Sequence, residues 1–460
     1  MDEKRLPYRL WTRYLSAFDG VRIVARALMD VIVSTEHRFQ QTPDGCVWTQ
    51  VAFSYRFWQR YLDVFDNVLV LARVLPVTSV PSDWERADGS SVSFVALPYY
   101  VGPAQCLRRL MPVRRAIKSA GSREAAVVMR VPSFLSAHLA PTLYRTGQPY
   151  GVEVVGDPWD AFSPAASRHV LAPLVRRWLS CHMRRQCANA TAAAYVTERT
   201  LQRRYPCAAY TIGVSDVALP NDGIVENGGV LATTFSNVDL SNENAVIRSV
   251  PAQRCGPLRL ITVASLQRRY KGVHHLISAT AACLRQGLSL ELTVVGDGGL
   301  RPALESQARR LGIQDRVRFV GQVSSGEAVR QHLDSANIFV LASLTEGLPR
   351  AMVEAMGRAL PCIGSAIGGI SEILPAEDLV PPGDVGALAA KIAEVAAHPD
   401  RRDRMAKANL ARAQAFCEPV LRKRRLAFYR HLHEATVRWL GNNGRNLTSS
   451  KSETPAFTSP

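Results

Sequence analysis

Residues 343–374 read SLTEGLPRAMVEAMGRALPCIGSAIGGISEIL. The apolar run at 338–341 predicts a strand that ends in a short loop, with a helix over 348–359. Backbone N–H groups at a helix start, with the positive end of the helix dipole behind them, form a ready anion site. Glu346 sits just before that helix, and Glu354 follows eight positions later, a little over two turns. One carboxylate therefore suits sugar hydroxyls at the helix mouth, and the other a diol further along.

The same alternation of strand and helix extends outward. Strands are expected at 258–264, 290–295, 317–320 and 361–364, with helices over 273–286, 301–311, 326–335 and 385–397. This is the pattern of a doubly wound parallel sheet. A second series precedes it, with strands at 31–34, 68–72, 92–97, 125–130, 152–156 and 192–196 and helices over 53–65, 105–120 and 171–187. Two domains suit a chain of 460 residues. The first spans 1–215, an irregular Asn-, Ser- and Gly-rich segment and linker covers 216–257, and the second domain spans 258–398. Helices over 399–442 are expected to cross back to the first domain, and the polar end, 443–460, reads as a disordered tail.

The formal net charge is +17, and residues 101–210 hold 16 Lys and Arg against 5 Asp and Glu. Such a field favours anionic partners. The nine cysteines include no Cys-x-x-Cys pair, which fits reduced thiols in a cytoplasmic protein better than a disulfide framework or a zinc site. The first residues, MDEKRLPYRLWTR, lack an apolar signal-peptide core, and no apolar run reaches the roughly 18 residues of a spanning helix. Any membrane contact is therefore expected to be peripheral.

Residues 343–361 place Ser343, Glu346, Gly347, Glu354, Ala355, Met356 and Pro361 in a register that resembles the family-4 retaining glycosyltransferases. The likeness continues through IGSAIGGISEIL (363–374) and LVPPGDVGALAAKI (379–392), and upstream through VASLQRRYKGVHHLI (263–277), TVVGDGG (293–299) and VRFVGQVSSGE (317–327). It covers about 258–395. The resemblance implies an α/β fold of the GT-B type, two doubly wound Rossmann-like domains facing a central cleft, and transfer of a sugar from a nucleoside-diphosphate sugar with retention. It further implies that Lys271 meets the donor diphosphate, that Glu346 binds the transferred sugar and Glu354 the ribose, that backbone at Gly347 and Leu348 holds phosphate and sugar oxygens, and that backbone near Val323 meets the base. The family's usual arginine, five or six residues before the lysine, is replaced by Leu266 or Ser265, so Arg268 or Arg269 is expected to supply that charge. The sequence contains no Asp-x-Asp, so neither a bound metal nor another cofactor is expected beyond the nucleotide-sugar co-substrate.

The first half resembles the family more weakly. The family histidine that follows a strand has no counterpart after 151–156, where Asp157 is the nearest polar residue and the candidate substitute. Residues 34–45, STEHRFQQTPDG, read as a loop at a strand end, with Glu36, His37, Arg38 and Gly45 as acceptor-side candidates. Along 105–120, Leu107, Leu110, Met111 and Ile117 share a face ringed by five basic residues, a pattern suited to an anionic membrane surface. The expectation is a transferase acting on a glycan or lipid-linked acceptor at the inner face of a membrane, in polysaccharide biosynthesis. Two rivals stand beside it: a degenerate domain that binds nucleotide without transfer, and a basic nucleic-acid-binding protein. The last lacks zinc spacing and an RNA-recognition motif.

Overall fold

The computed structural model describes residues 29–50, 52–121, 124–164, 170–216, 219, 256–323 and 326–449. Most of the segment 216–257 therefore lies outside the described residues, as does 450–460. The chain forms two compact units: the first comprises Met1–Met129, His138–Gly151 and Tyr429–Pro460, and the second Arg130–Ala137 and Val152–Phe428. Two largely parallel sheets run through the described chain, and the fold class is α/β, as read from the sequence.

In the first unit, β1 (Asp30–Gln41) pairs in parallel with β3 (Asn67–Pro76), which pairs with β5 (Val92–Leu97), and on its other side with β6 (Ala126–Val131). Two short antiparallel strands, β2 (Val47–Thr49) and β4 (Glu85–Arg86), extend the far end of β1. The sequence suggests a loop after Ser34; instead β1 runs on to Gln41. The polar Thr35–Glu36–His37 run interrupts the apolar pattern because the register shifts between Ser34 and Arg38, a bulge after which pairing with β3 resumes. A buried aromatic group, with Phe39, Trp58 and Tyr61 at its centre, packs on this sheet. Tyr429 of the last helix, Glu418–Ser449, lies 4.8 Å from Tyr61 ring to ring and fastens that helix to the unit. The helix continues past residue 443, into the stretch read as a tail.

The stretch 105–120 forms two helices, Gly102–Arg108 and Leu110–Gly121. Pro112 falls in the first turn of the second, where its missing N–H breaks no helix bond. Of the expected apolar face, Ile117 is buried in the core, Leu110 is half-buried, and Met111 is exposed beside Arg114, Arg115 and Lys118.

The second unit carries β7 (Tyr150–Val154) from Val152 onward, then β8 (Ala192–Tyr195) paired in parallel with β9 (Tyr210–Gly213). Its six-stranded sheet is parallel throughout. The order is β12 (Val317–Gly321), β11 (Leu290–Val295), β10 (Leu258–Val263), β13 (Ile338–Leu341), β14 (Cys362–Ser365) and β15 (Leu379–Val380). Alternate residues of each strand enter opposite cores. Leu260, Leu292 and Val340 join helices Val273–Arg285, Arg301–Arg310 and Val385–Ala397 on one face. Ile261, Phe339 and Leu341 join Leu333, Met352 and Met356 on the other. Burial on both faces explains why these strands read as unbroken apolar runs. Each fully buried Leu, Ile or Phe contributes about 1.5–3 kcal/mol.

Candidate donor site

β13 is wholly buried and delivers Ser343 to the carboxyl end of the sheet, the edge where open parallel sheets bind ligands. The hydroxyl of Ser343 donates to Glu346 Oε1 at 3.2 Å, and Lys271 Nζ contacts the same oxygen in an ion pair. Both charged side chains are largely buried, Lys271 at 19% and Glu346 at 10% exposure. Leu344 N donates to Tyr270 O at 2.7 Å, so the loop after β13 is joined to the turn Arg269–Lys271 after β10.

Two glycines make this arrangement possible. Gly272 has φ +66°, and a Cβ there would lie 1.7 Å from the carbonyl oxygen of Ala342. Gly368 has φ +43°, and its Cβ would meet the carbonyl oxygen of Glu346 at 1.9 Å. Its neighbour donates from Gly369 N to Gly347 O at 2.9 Å. The Lys-Gly and Gly-Gly pairs seen in the sequence thus grip the backbone on either side of the Glu346 loop, and a side chain at either glycine would displace it.

The helix Arg350–Gly357 begins two residues later than expected, with Pro349 as its extended N-cap. Pro349 itself offers no N–H, and the residue before a proline is steered away from helical backbone, which sets the later start. Glu354 projects from this helix and pairs with Arg350 at 2.9 Å. Leu348 and Val323 are both partly buried against the same core. Lys271, Glu346, Gly347 and Leu348 are thus tied to one another by the sheet edge and its loops. Arg268 and Arg269 precede Lys271 but line a different cavity, to which Lys271, Glu346 and Glu354 do not contribute among the described residues.

Asp157 caps the short helix Pro158–Ala161 by accepting from Trp159 N at 2.8 Å. It also accepts from Tyr205 Oη at 2.6 Å and pairs with Arg204. Its carboxylate thus meets three donors at once.

In the first unit, Glu36, His37 and Arg38 lie within β1 rather than on a loop. Glu36 pairs with Arg73 at 2.9 Å. His37 meets Thr49 Oγ1 at 2.8 Å and packs on Phe39 and Phe53. Burial, then the charges of Arg38 and Arg73, lower its pKa from 6.5 to about 4, so it is neutral near pH 7. Arg38 is exposed, and Gly45 occupies the tip of the β1–β2 turn at φ +82°.

The sequence reading missed a further tie. Glu372, on the helix Ile370–Ile373, accepts from the backbone N–H groups of Glu198, Arg199 and Thr200 at 2.6, 3.2 and 2.5 Å. A separate cluster joins the buried Arg130 to the buried Glu153 and, at 2.7 Å, to the exposed Asp216. Both link residues far apart in the chain, and no local pattern marks them.

The doubly wound parallel sheet, with the Lys271–Glu346 cluster at its carboxyl edge, is one Rossmann-like half of a GT-B fold. Residues 257–398 match the family Glycosyl transferases group 1. Protein CapJ of Staphylococcus aureus is 27% identical over 65% of this chain and 70% of its own length. The amylovoran biosynthesis glycosyltransferase AmsK of Erwinia amylovora is 37% identical, over 29% of this chain and only 35% of its own. Among solved structures, Anabaena HepE in complex with UDP-glucose shares the fold with a TM-score of 0.57 and 16% identity, over 87% of this chain and 98% of that one.

Proposed function

We propose that this chain is a retaining glycosyltransferase that takes its sugar from a nucleoside-diphosphate sugar and passes it to a glycan or lipid-linked acceptor in polysaccharide assembly. The observation that carries the reading is the cluster of Lys271, Ser343 and Glu346 at the carboxyl edge of the second sheet. Lys271 offers a positive charge to the diphosphate, and the helix Arg350–Gly357 directs its N-terminus toward the same loop. Glu346, fixed by Ser343, accepts from sugar hydroxyls and aligns the anomeric carbon. Glu354 takes the ribose diol by exchanging its Arg350 partner for the ligand. In this reading the departing phosphate assists deprotonation of the acceptor, and positioning supplies most of the rate. The UDP-glucose complex of HepE and the amylovoran role in the name of AmsK support the donor class and the polysaccharide context.

The assay is a panel of UDP- and GDP-sugars with the purified chain. Acceptor-dependent release of nucleoside diphosphate is expected for one donor, with the donor's anomeric configuration kept in the product. An inverted product would overturn retention. Binding without release under every acceptor tried would favour the degenerate, nucleotide-binding rival.

The proposed site of action is the cytoplasmic face of an anionic membrane. Among the described residues no helix is long and apolar enough to cross a bilayer. Beside the exposed Met111 and arginines of 105–120, a second place supports surface contact: Trp159, Val170, Leu171 and Leu174 are all exposed, and Arg176 lies 3.6 Å over the Trp159 ring. Aromatic and aliphatic side chains beside arginines suit the bilayer interface. Co-sedimentation with acidic vesicles should fall several-fold in Leu174→Ser and Trp159→Ser, and the loss should persist at high salt. Replacing Arg108, Arg109, Arg114 and Arg115 with Gln should instead remove salt-sensitive binding, about 1 kcal/mol per charge. Equal binding to neutral vesicles would overturn the electrostatic part.

A further inference from the structure

We propose that Glu372 is a positioning residue for the donor site: by clasping the turn after β8 it fixes the Gly368–Gly369 loop, and through that loop Glu346. The inference rests on the reading of Glu346 as the group that meets the transferred sugar. Glu372 lies on the one-turn helix Ile370–Ile373. Ile370, Ile373 and Leu374 are buried in the core and fix one side of that turn. The carboxylate of Glu372 takes the N–H groups of Glu198, Arg199 and Thr200, which lie 172 to 174 residues earlier in the chain. Both partners belong to the second unit.

The segment 198–200 is arranged to receive this carboxylate. The side chain of Glu198 is drawn to Arg424 Nη1 at 2.5 Å, and the same nitrogen donates to Gly213 O at 3.1 Å. Thr197 Oγ1 accepts from Leu201 N at 3.1 Å. The helix Thr200–Arg204 thus opens with its N–H groups shared between a local hydroxyl and a carboxylate from the donor loop. Arg412 Nη1 donates to Glu372 O at 3.2 Å, so the main chain of Glu372 is held as well. At the other end of the link, a Cβ on Gly369 would lie 2.3 Å from Gly347 O, the oxygen that Gly369 N bonds. Gly368 presses in the same way on Glu346 O. Backbone packed this closely transmits a shift of the one-turn helix to the carbonyls of Glu346 and Gly347. Glu198 and Arg199 are exposed, so water can take over their N–H groups when the carboxylate is removed. The clasp therefore sets position more than it adds stability. A donor sugar that meets Glu346 feels the change, while a nucleoside diphosphate held by Lys271 feels it far less.

Hydrogen exchange on the full chain tests the clasp without any ligand. Glu372→Ala should speed amide exchange in 198–201, 344–348 and 366–372 by about tenfold or more, and Glu372→Gln, which keeps one acceptor oxygen, by less. Gln307→Ala is the comparator. It cuts ties to His274 O and Ser278 Oγ and lowers stability, yet should leave exchange at 344–348 as in the wild type. With the donor found in the UDP- and GDP-sugar panel, Glu372→Ala should lower turnover at saturating donor by about tenfold to a hundredfold, keep UDP affinity within about twofold, and be partly rescued in Glu372→Gln. Wild-type exchange at 344–348 in Glu372→Ala, or wild-type turnover, would overturn the proposal. Equal losses of turnover in Glu372→Ala and Gln307→Ala would also overturn it, by marking a packing role. A wild-type chain that binds no nucleotide sugar would overturn the transferase reading instead, while the exchange rates still decide the clasp.

Discussion

Glu346→Gln should cut sugar transfer by about a hundredfold or more while the fold and the nucleoside-diphosphate affinity persist. The amide oxygen of Gln can still accept from Ser343 Oγ and Lys271 Nζ, so the loop after β13 keeps its ties. What disappears is the negative charge that strengthens bonds to sugar hydroxyls as charge develops at the anomeric carbon. The same change releases Lys271 from an ion pair, so UDP should bind as well as before or more tightly. This opposed pair of effects separates a role in the reaction from a role in packing, since a packing defect would weaken both. Turnover with the identified donor and UDP titration on the same preparation check it. Near-native turnover would remove Glu346 from the mechanism.

Most of the second sheet was legible because its strands are buried on both faces. Runs such as Ile338–Leu341 stand out wherever they fall, and the helices between them keep a clear apolar stripe. The Lys-Gly and Gly-Gly pairs were equally legible as motifs, but their reason was not: contacts of Gly272 with Ala342 and Gly368 with Glu346 lie across the fold. The strands that escaped notice are short edge pieces, β2, β4, β9 and β15, whose pairing supplies a regularity their few residues cannot show. In β1 a bulge hides the continuation past Ser34, which moved Glu36 and His37 from an expected loop into the sheet. The amphipathic stretch 105–120 shows a different limit. Periodicity finds an apolar face without saying which of its residues meet a core, and here Ile117 does while Met111 is exposed. For Asp157, the partners of the carboxylate, Tyr205 and Arg204, lie 48 and 47 residues away in the chain and leave no mark in the local sequence.

Lys271→Ala should weaken UDP binding by about tenfold to a hundredfold, the range expected when one charge-assisted bond to a diphosphate is lost. Lys271→Arg should recover part of that affinity, because the charge remains while the longer planar group meets the loop differently. The alanine variant carries a second consequence. Glu346, at 10% exposure, loses its cationic partner and keeps only Ser343 among the side chains described around it. A largely buried carboxylate without countercharge costs about 1–3 kcal/mol, so the variant should also unfold at lower denaturant concentration. The double variant Lys271→Ala with Glu346→Gln removes the stranded charge, so part of that stability should return. Its UDP affinity should not return, because nothing then faces the diphosphate from the lysine's place. Denaturant midpoints and UDP titrations of the two single variants and the double variant separate the two effects. Equal UDP affinity in the wild type and Lys271→Ala would exclude the lysine from the phosphate site.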